Sequence, residues 1–245
     1  MTDRLIDRLA VTGTDTGVGK TVVACALAAR ARQRGLRVAV MKPVESGIDV
    51  SPTDGTVHSD AERLRAAAGS TAPLDLVRPF AYDEPLAPMI AAVRSGRPVL
   101  MAELDRCRAL LEAEADLLLV EGAGGILVPL DVHTSYVDLF VRWQTGVVLV
   151  AGNRLGVLNH TLLTVRAIEA AGLRIRGMIL AALTPPESPV ATDPSRATNF
   201  EALQQLLPHL PLFQFPWVEQ VEDPDVLAAT AATAGFDQLL SRVVS

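Results

Sequence analysis

Two cysteines in 245 residues are too few for a disulfide framework. Cys25 and Cys107 both fall in helix-like runs, which suits buried, reduced thiols. Aromatic residues make up only 4 % of the chain, so a core must be built from Ala, Val and Leu. No apolar run approaches the ~20 residues that a membrane span requires. Residues 1–8 alternate charged and apolar side chains, with no apolar stretch leading to a small-residue cleavage site. The net charge of −6 and the lack of a Lys/Arg-dense arm exclude nonspecific nucleic-acid binding, which needs basic patches to displace counterions. His58, His133, His160 and His209 are scattered without metal-ligand spacing. The expectation is a soluble cytoplasmic protein that binds neither nucleic acid nor membrane. There are no repeats and no linker, and 49 % of residues are hydrophobic, so residues 1–245 are expected to form a single domain.

What is present is an alternation of short apolar runs with longer helical ones. Residues 9–12 read as a strand, and 20–34 as a helix that Gly35 stops. Residues 38–42 form the next strand, and 43–58 read as loop. Ser59 is placed to cap a helix over 60–68, with Gly69 beyond it. Residues 84–96 and 102–115 read as helices. Residues 117–120 form a buried parallel strand that delivers Glu121 at its carboxyl end. Residues 147–150 and 177–183 are further strands, flanking a helix over 158–171. The proline-rich residues 185–195 read as loop. A helix over 199–207, a strand over 212–215 and one or two final helices complete the chain. This pattern predicts an α/β fold with one doubly wound, mainly parallel sheet and helices on both faces, and the Gly13–Thr21 turn before the first helix makes it one of P-loop NTPase type. Ligands of such sheets bind beyond the carboxyl ends of the strands, where Gly13–Thr21, Lys42–Gly47, Glu121–Gly125 and Gly152–Asn159 all fall.

The first of these segments has the layout of a phosphate-binding P-loop. An apolar strand runs into Gly13-Thr-Asp-Thr-Gly-Val-Gly-Lys-Thr21, and a helix opens at Lys20. Backbone N–H groups over Gly17, Val18, Gly19 and Val22 can cradle a polyphosphate, Lys20 can reach its terminal phosphates, and the Thr21 hydroxyl can ligate Mg²⁺. The helix N-terminus adds partial positive charge. Five residues separate Gly13 from Gly19, one more than the usual pattern. Glu121 at the end of an apolar strand is the Walker-B arrangement for a metal-facing acid. Gly122, Ala123, Gly124 and Gly125 read as a flexible turn whose amides can approach a ligand closely.

Together these pieces resemble the dethiobiotin synthetases. The matching residues are Val11–Thr21, Lys42-Pro-Val-Glu-Ser-Gly47, Ser59-Asp60, Val120-Glu-Gly-Ala-Gly-Gly125, Gly156-Val-Leu-Asn-His160 and Phe215-Pro-Trp217, spread in order over most of the chain. Members of that family carry the longer P-loop spacing as well. The resemblance implies an ATP- and Mg²⁺-dependent cyclo-ligase of biotin synthesis acting on 7,8-diaminopelargonate and CO₂. One amine captures CO₂ as a carbamate, ATP phosphorylates it, and the other amine closes the cyclic urea. Lys20 and Lys42 are then the catalytic cations. The nucleotide would meet Gly17–Val22, Asp60, Glu121–Gly124 and Pro216-Trp217-Val218, the last three sandwiching the base. Thr16, Ser46, Gly124, Gly156 and Asn159 would hold substrate, with the Gly47 N–H as a further donor. Thr21, Asp60 and Glu121 would ligate the metal. Asp60 is singled out by the resemblance alone among Asp49, Asp54, Asp60 and Glu62. The element at Gly156–Asn159 implies a homodimer with composite sites, in which Asn159 serves the neighbouring subunit. One departure stands out: members commonly have Asn-Asp after the strand at 177–180, where this chain has Ala181-Ala182.

The alternative is a switch ATPase of the partition or septum-positioning type, which shares the fold. Those proteins carry an extra lysine early in the P-loop, where this chain has Thr14 and Asp15. An amidotransferase of cobalamin synthesis would need an attached glutaminase domain for which this chain is too short.

Overall fold

The computed structural model describes residues 6–50, 57–186 and 193–241. The first strand, β1 (Asp7–Gly13), becomes fully buried from Leu9 onward. It leads through the glycine-rich loop into α1 (Lys20–Gln33). That helix is buried on nearly every side, and residues 23–29 are at most 1 % exposed. A helix that is apolar all round belongs inside a protein rather than on its surface. Its alanines leave room for the sheet on one side and for two further helices, α2 (Asp60–Ala68) and α9 (Pro224–Thr233), on the others.

Next come β2 (Val38–Met41), β3 (Val44–Ser46), β4 (Asp49–Val50) and β5 (Val57–His58). The loop expected over residues 43–58 therefore holds three short strands, and its residues 51–56 lie outside the described residues. Strands of two or three residues are too short to show a two-residue period. α2 (Asp60–Ala68) has the expected bounds: Ser59 Oγ accepts the Glu62 N–H at 3.3 Å, and Gly69 ends the helix at φ +62°. Such a cap contributes about 1 kcal/mol.

α3 (Leu74–Val77) and β6 (Phe80–Tyr82) were not foreseen; β6 pairs in parallel with β3. α4 (Pro88–Ser95) starts four residues later than expected, because Pro88 fits only the first turn of a helix. α5 (Met101–Glu112) precedes β7 (Leu117–Gly125). The turn expected over Gly122–Gly125 is instead a continuation of β7, since Gly125 stands opposite Gly13 of β1. The glycines allow that approach: a Cβ on Gly125 would lie 3.5 Å from the Gly13 carbonyl oxygen.

The remaining elements are α6 (Tyr136–Arg142), β8 (Gly146–Gly152), α7 (Val157–Ala170), β9 (Ile175–Ala181), α8 (Ser195–Leu206), β10 (Leu212–Phe215), α9 (Pro224–Thr233) and α10 (Phe236–Ser241). Residues 187–192 of the expected loop lie outside the described residues. α8 opens at Ser195 rather than 199, because the Asp193 carboxylate accepts the Ser195 N–H at 3.0 Å.

The main sheet has the order β10-β9-β8-β1-β7-β2 with every pair parallel. From central β1 the chain runs outward to β2, returns to insert β7 between them, then crosses to β8, β9 and β10. Right-handed crossovers in opposite directions place helices on both faces, as the sequence implied. All carboxyl ends share one edge, and the order reverses at β1, where a doubly wound sheet opens its binding crevice. Among the described residues no helix is long and apolar enough to cross a membrane.

Both thiols are sealed in this core. Burial pushes the Cys25 thiol well above its ordinary value, and burial with the Glu103 carboxylate pushes Cys107 up to about 11. The native protein should therefore show no fast-reacting thiol toward Ellman's reagent at pH 8, and two thiols after denaturation in guanidinium. One rapid equivalent in the native state would show that a cysteine is accessible.

Candidate active site

Beyond the strand ends lies a cavity of about 580 Å³, walled by the P-loop, the segment after β2, the start of α2, the end of β7 and residues 85–88. The P-loop takes its shape from Gly17 and Gly19, at φ +70° and +90°, a region open to glycine. Gly13 is required for space: a Cβ there would meet Val18 Cγ2 at 2.8 Å and the Asp15 carbonyl oxygen at 2.9 Å. Lys20 folds back over this loop and donates to the Asp15 carbonyl at 2.8 Å. Burial lowers its pKa to about 8; the Glu121 carboxylate opposes that shift and the Lys42 charge reinforces it.

Lys42 follows β2 directly and points into the cavity, with its side chain 4 % exposed. Its ammonium donates to Glu121 Oε1 at 2.6 Å and Asp60 Oδ2 at 2.9 Å. Burial by itself would discharge Lys42, but the two carboxylates more than reverse that and hold its pKa above the ordinary lysine value. Burial pushes the Glu121 carboxyl up, against the pull of Lys42, whereas at Asp60 the burial effect is outweighed by Lys42 and the carboxyl is held down. Thr21 Oγ1 donates to the same Glu121 Oε1 at 2.8 Å. The other oxygen, Glu121 Oε2, is buried and has no hydrogen-bond partner among the described residues.

Lys20 and Lys42 are the chain's only lysines among 22 basic residues, and both line this cavity. Arg and Lys differ in shape and hydration, and a compact ammonium suits a narrow anion site.

The cavity also gathers Thr16, Gly17, Gly19, Thr21, Val22, Ser46, Asp60, Glu121, Ala123 and Gly124 of the expected set. Ser46 Oγ donates to the Leu86 carbonyl at 2.7 Å, so the side chain also ties the end of β3 to the 85–88 segment. The Gly47 N–H, expected to face substrate, is taken by the Tyr82 carbonyl at 3.0 Å, because β3 continues its pairing with β6. Gly122 does not line the cavity; it is buried, and a Cβ there would lie 3.4 Å from Tyr136 Cδ1. Val18 is likewise buried behind the loop. Gly156 and Asn159 are exposed and stand outside the cavity, at the start of α7. Pro216 borders a second cavity, of about 660 Å³, along β10, with Trp217 exposed and Val218 buried nearby. Ala181 sits against the P-loop, 3.5 Å from where a Cβ on Gly19 would stand. Glu45, Arg63, the 85–88 segment and Val128 also line the main cavity and were not foreseen. Glu45 was visible only as a charge inside the 42–47 motif, and Arg63 as a cation one helical turn after Asp60.

With this geometry in place, the chain can be set beside known proteins. A family profile described as an AAA domain matches residues 7–225. The ATP-dependent dethiobiotin synthetase of Anaeromyxobacter dehalogenans strain 2CP-C is 42 % identical over 218 residues, covering 89 % of this chain and 91 % of the relative. That of Escherichia coli K12 is 37 % identical over 232 residues, covering 95 % and 97 %. Among solved structures, the septum site-determining protein MinD of Pyrococcus horikoshii aligns with a TM-score of 0.56 at 17 % identity, covering 98 % of this chain and 96 % of that one. The cell-division ATPase MinD of Pyrococcus furiosus aligns at 0.52 and 18 % identity, covering 98 % of each. These structural likenesses establish the doubly wound fold alone, whereas the sequence likenesses extend over 89 % and 95 % of the chain. The chain belongs to the ATP-dependent dethiobiotin synthetase family.

Proposed function

We propose that the chain closes the ureido ring of dethiobiotin from 7,8-diaminopelargonate and CO₂ at the expense of ATP, acting as one 245-residue unit. The observation that carries this reading is Lys42, buried against Glu121 and Asp60 in the cavity that the P-loop Lys20 also lines. Phosphoryl transfer to a carbamate brings two anions together, so catalysis is positioning and charge neutralisation. The amide row of residues 17–22 and Lys20 hold the ATP phosphates. One substrate amine adds to CO₂ and loses a proton to give the carbamate. An ammonium has three donors; Glu121 and Asp60 take two on Lys42, and the third serves the carbamate oxygen. That oxygen takes the γ-phosphoryl group, releasing ADP. The second amine then attacks the carbonyl of the mixed anhydride, the C–O bond to phosphate breaks, and the cyclic urea and phosphate leave.

The donors beside Lys42 fit a magnesium ion. Thr21 Oγ1, Asp60 and Glu121 offer hard oxygens, and the buried Glu121 Oε2, without a hydrogen-bond partner among the described residues, is an atom that a cation would satisfy. When bound, the ion would supply charge neutralisation at the phosphates. Gly156 and Asn159, exposed at the start of α7, stand apart from the cavity, and this supports a homodimer in which they reach the partner's substrate carboxylate.

Lys42→Ala should lower ring closure by at least about 10³-fold and shift the nucleotide Kd by less than about fivefold, read by product formation and calorimetry. Equal losses in both would make Lys42 a nucleotide ligand only. Chelating divalent ions should stop turnover, with Mg²⁺ restoring it; full activity in excess EDTA would remove the metal from the reaction.

The base site supports a relaxed choice of nucleotide. Ala181 and Ala182 offer no side-chain hydrogen bonds, and the Ala182 N–H is taken by the Phe215 carbonyl at 2.9 Å. Pro216, Trp217 and Val218 offer mainly apolar contact. CTP or GTP should therefore support ring closure within about tenfold of ATP. A preference for ATP of several decades would show that the base is read by groups other than these.

A further inference from the structure

Glu45 on β3 is only 5 % exposed, and a buried carboxylate persists only when it is paired and hydrogen-bonded. Three donors converge on it from two distant segments. Ser59 Oγ donates at 2.9 Å, Arg78 Nη1 at 3.0 Å, and the backbone N–H of Asp60 at 2.5 Å. Arg78 Nη1 also donates to Ser59 Oγ at 2.7 Å, which closes the group.

The bond to Asp60 matters because Asp60 is the first residue of α2, where backbone N–H groups have no partner within the helix. The Ser59 hydroxyl satisfies the Glu62 N–H, and Glu45 satisfies that of Asp60. With its backbone anchored there, the Asp60 carboxylate stands 2.9 Å from Lys42 Nζ. Lys42 lies three residues before Glu45, and its own N–H donates at 2.8 Å to the carbonyl of Val77, the neighbour of Arg78. The same two segments thus frame both partners of the Lys42–Asp60 pair.

We propose that Glu45, held by Arg78, is a positioning residue that fixes the Asp60 carboxylate against Lys42. This rests on the reading of Lys42 and Asp60 as reaction-site residues. In this role Glu45 acts through the start of α2, although it also borders the cavity.

The test compares Glu45→Ala, Glu45→Gln and Arg78→Ala in the full-length enzyme, measuring kcat, the KM for the diamine and the nucleotide Kd. Glu45→Ala should lower kcat by about 30-fold and leave the nucleotide Kd within about threefold, since the P-loop is anchored elsewhere. Glu45→Gln keeps an oxygen that can accept the Asp60 N–H and should recover at least about a third of the wild-type kcat. Arg78→Ala should fall between them, and it carries the test if circular dichroism shows that Glu45→Ala does not fold. A Glu45→Ala enzyme within about twofold of wild type, a Kd that weakens in proportion to kcat, or a Gln variant as impaired as the Ala variant would overturn the proposal. Lys42→Ala and Asp60→Ala run beside them separate the two readings. Near-wild-type turnover in those variants would topple the assigned site itself. Their inactivity beside an unimpaired Glu45→Ala would remove only the positioning role.

Discussion

The ammonium of Lys42, wedged between Glu121 and Asp60, is the contact around which the crevice is organised. Each of the three comes from a different part of the chain: the residue after β2, the middle of β7 and the start of α2. Moving a charge out of water is costly, and removing one member of such a group leaves the others unpaired. The cluster therefore constrains three elements at once. Glu121 is fixed by β7, which lies between β1 and β2, so the sheet register sets its height beside the P-loop. Asp60 has no sheet to hold it and depends on how α2 is capped.

The alanine-rich α1 makes this arrangement possible. A larger helix would push α2 outward and carry Asp60 away from Lys42. Because residues 23–29 are buried and mostly small, α2 packs close to α1, and its N-terminus reaches the same crevice as the P-loop. Packing of this kind leaves little slack, so methylene-sized changes in α1 would be transmitted to the site.

Much of this was legible in the residues themselves. β10 and α2 have the bounds their patterns gave, and the run Leu117–Val120 announced the buried strand that carries Glu121, although that strand continues to Gly125 instead of ending at the acid. These are segments where local chemistry and tertiary role agree. Where the sequence misled, a long-range partner decided the outcome. Gly122–Gly125 has turn composition but is a strand, because β1 lies alongside it. The Gly47 N–H is consumed by Tyr82, 35 residues further along the chain. α3, β6 and the short strands around residue 45 are held by pairing and packing rather than by any period of their own. Asp60 could not be told from neighbouring acids by residue type, since its distinction is a distance to Lys42.

The two lysines carry a further consequence. With arginine filling every other basic position, the chain's side-chain primary amines are confined to one crevice. Amine-directed acylating reagents would therefore find a side-chain target only in that crevice, at Lys20, whose ammonium burial makes the easier of the two to discharge, apart from the chain's α-amino group. The protein is in effect its own affinity matrix. Protection from acylation would report occupancy of the crevice directly, without a substrate analogue carrying a reactive group.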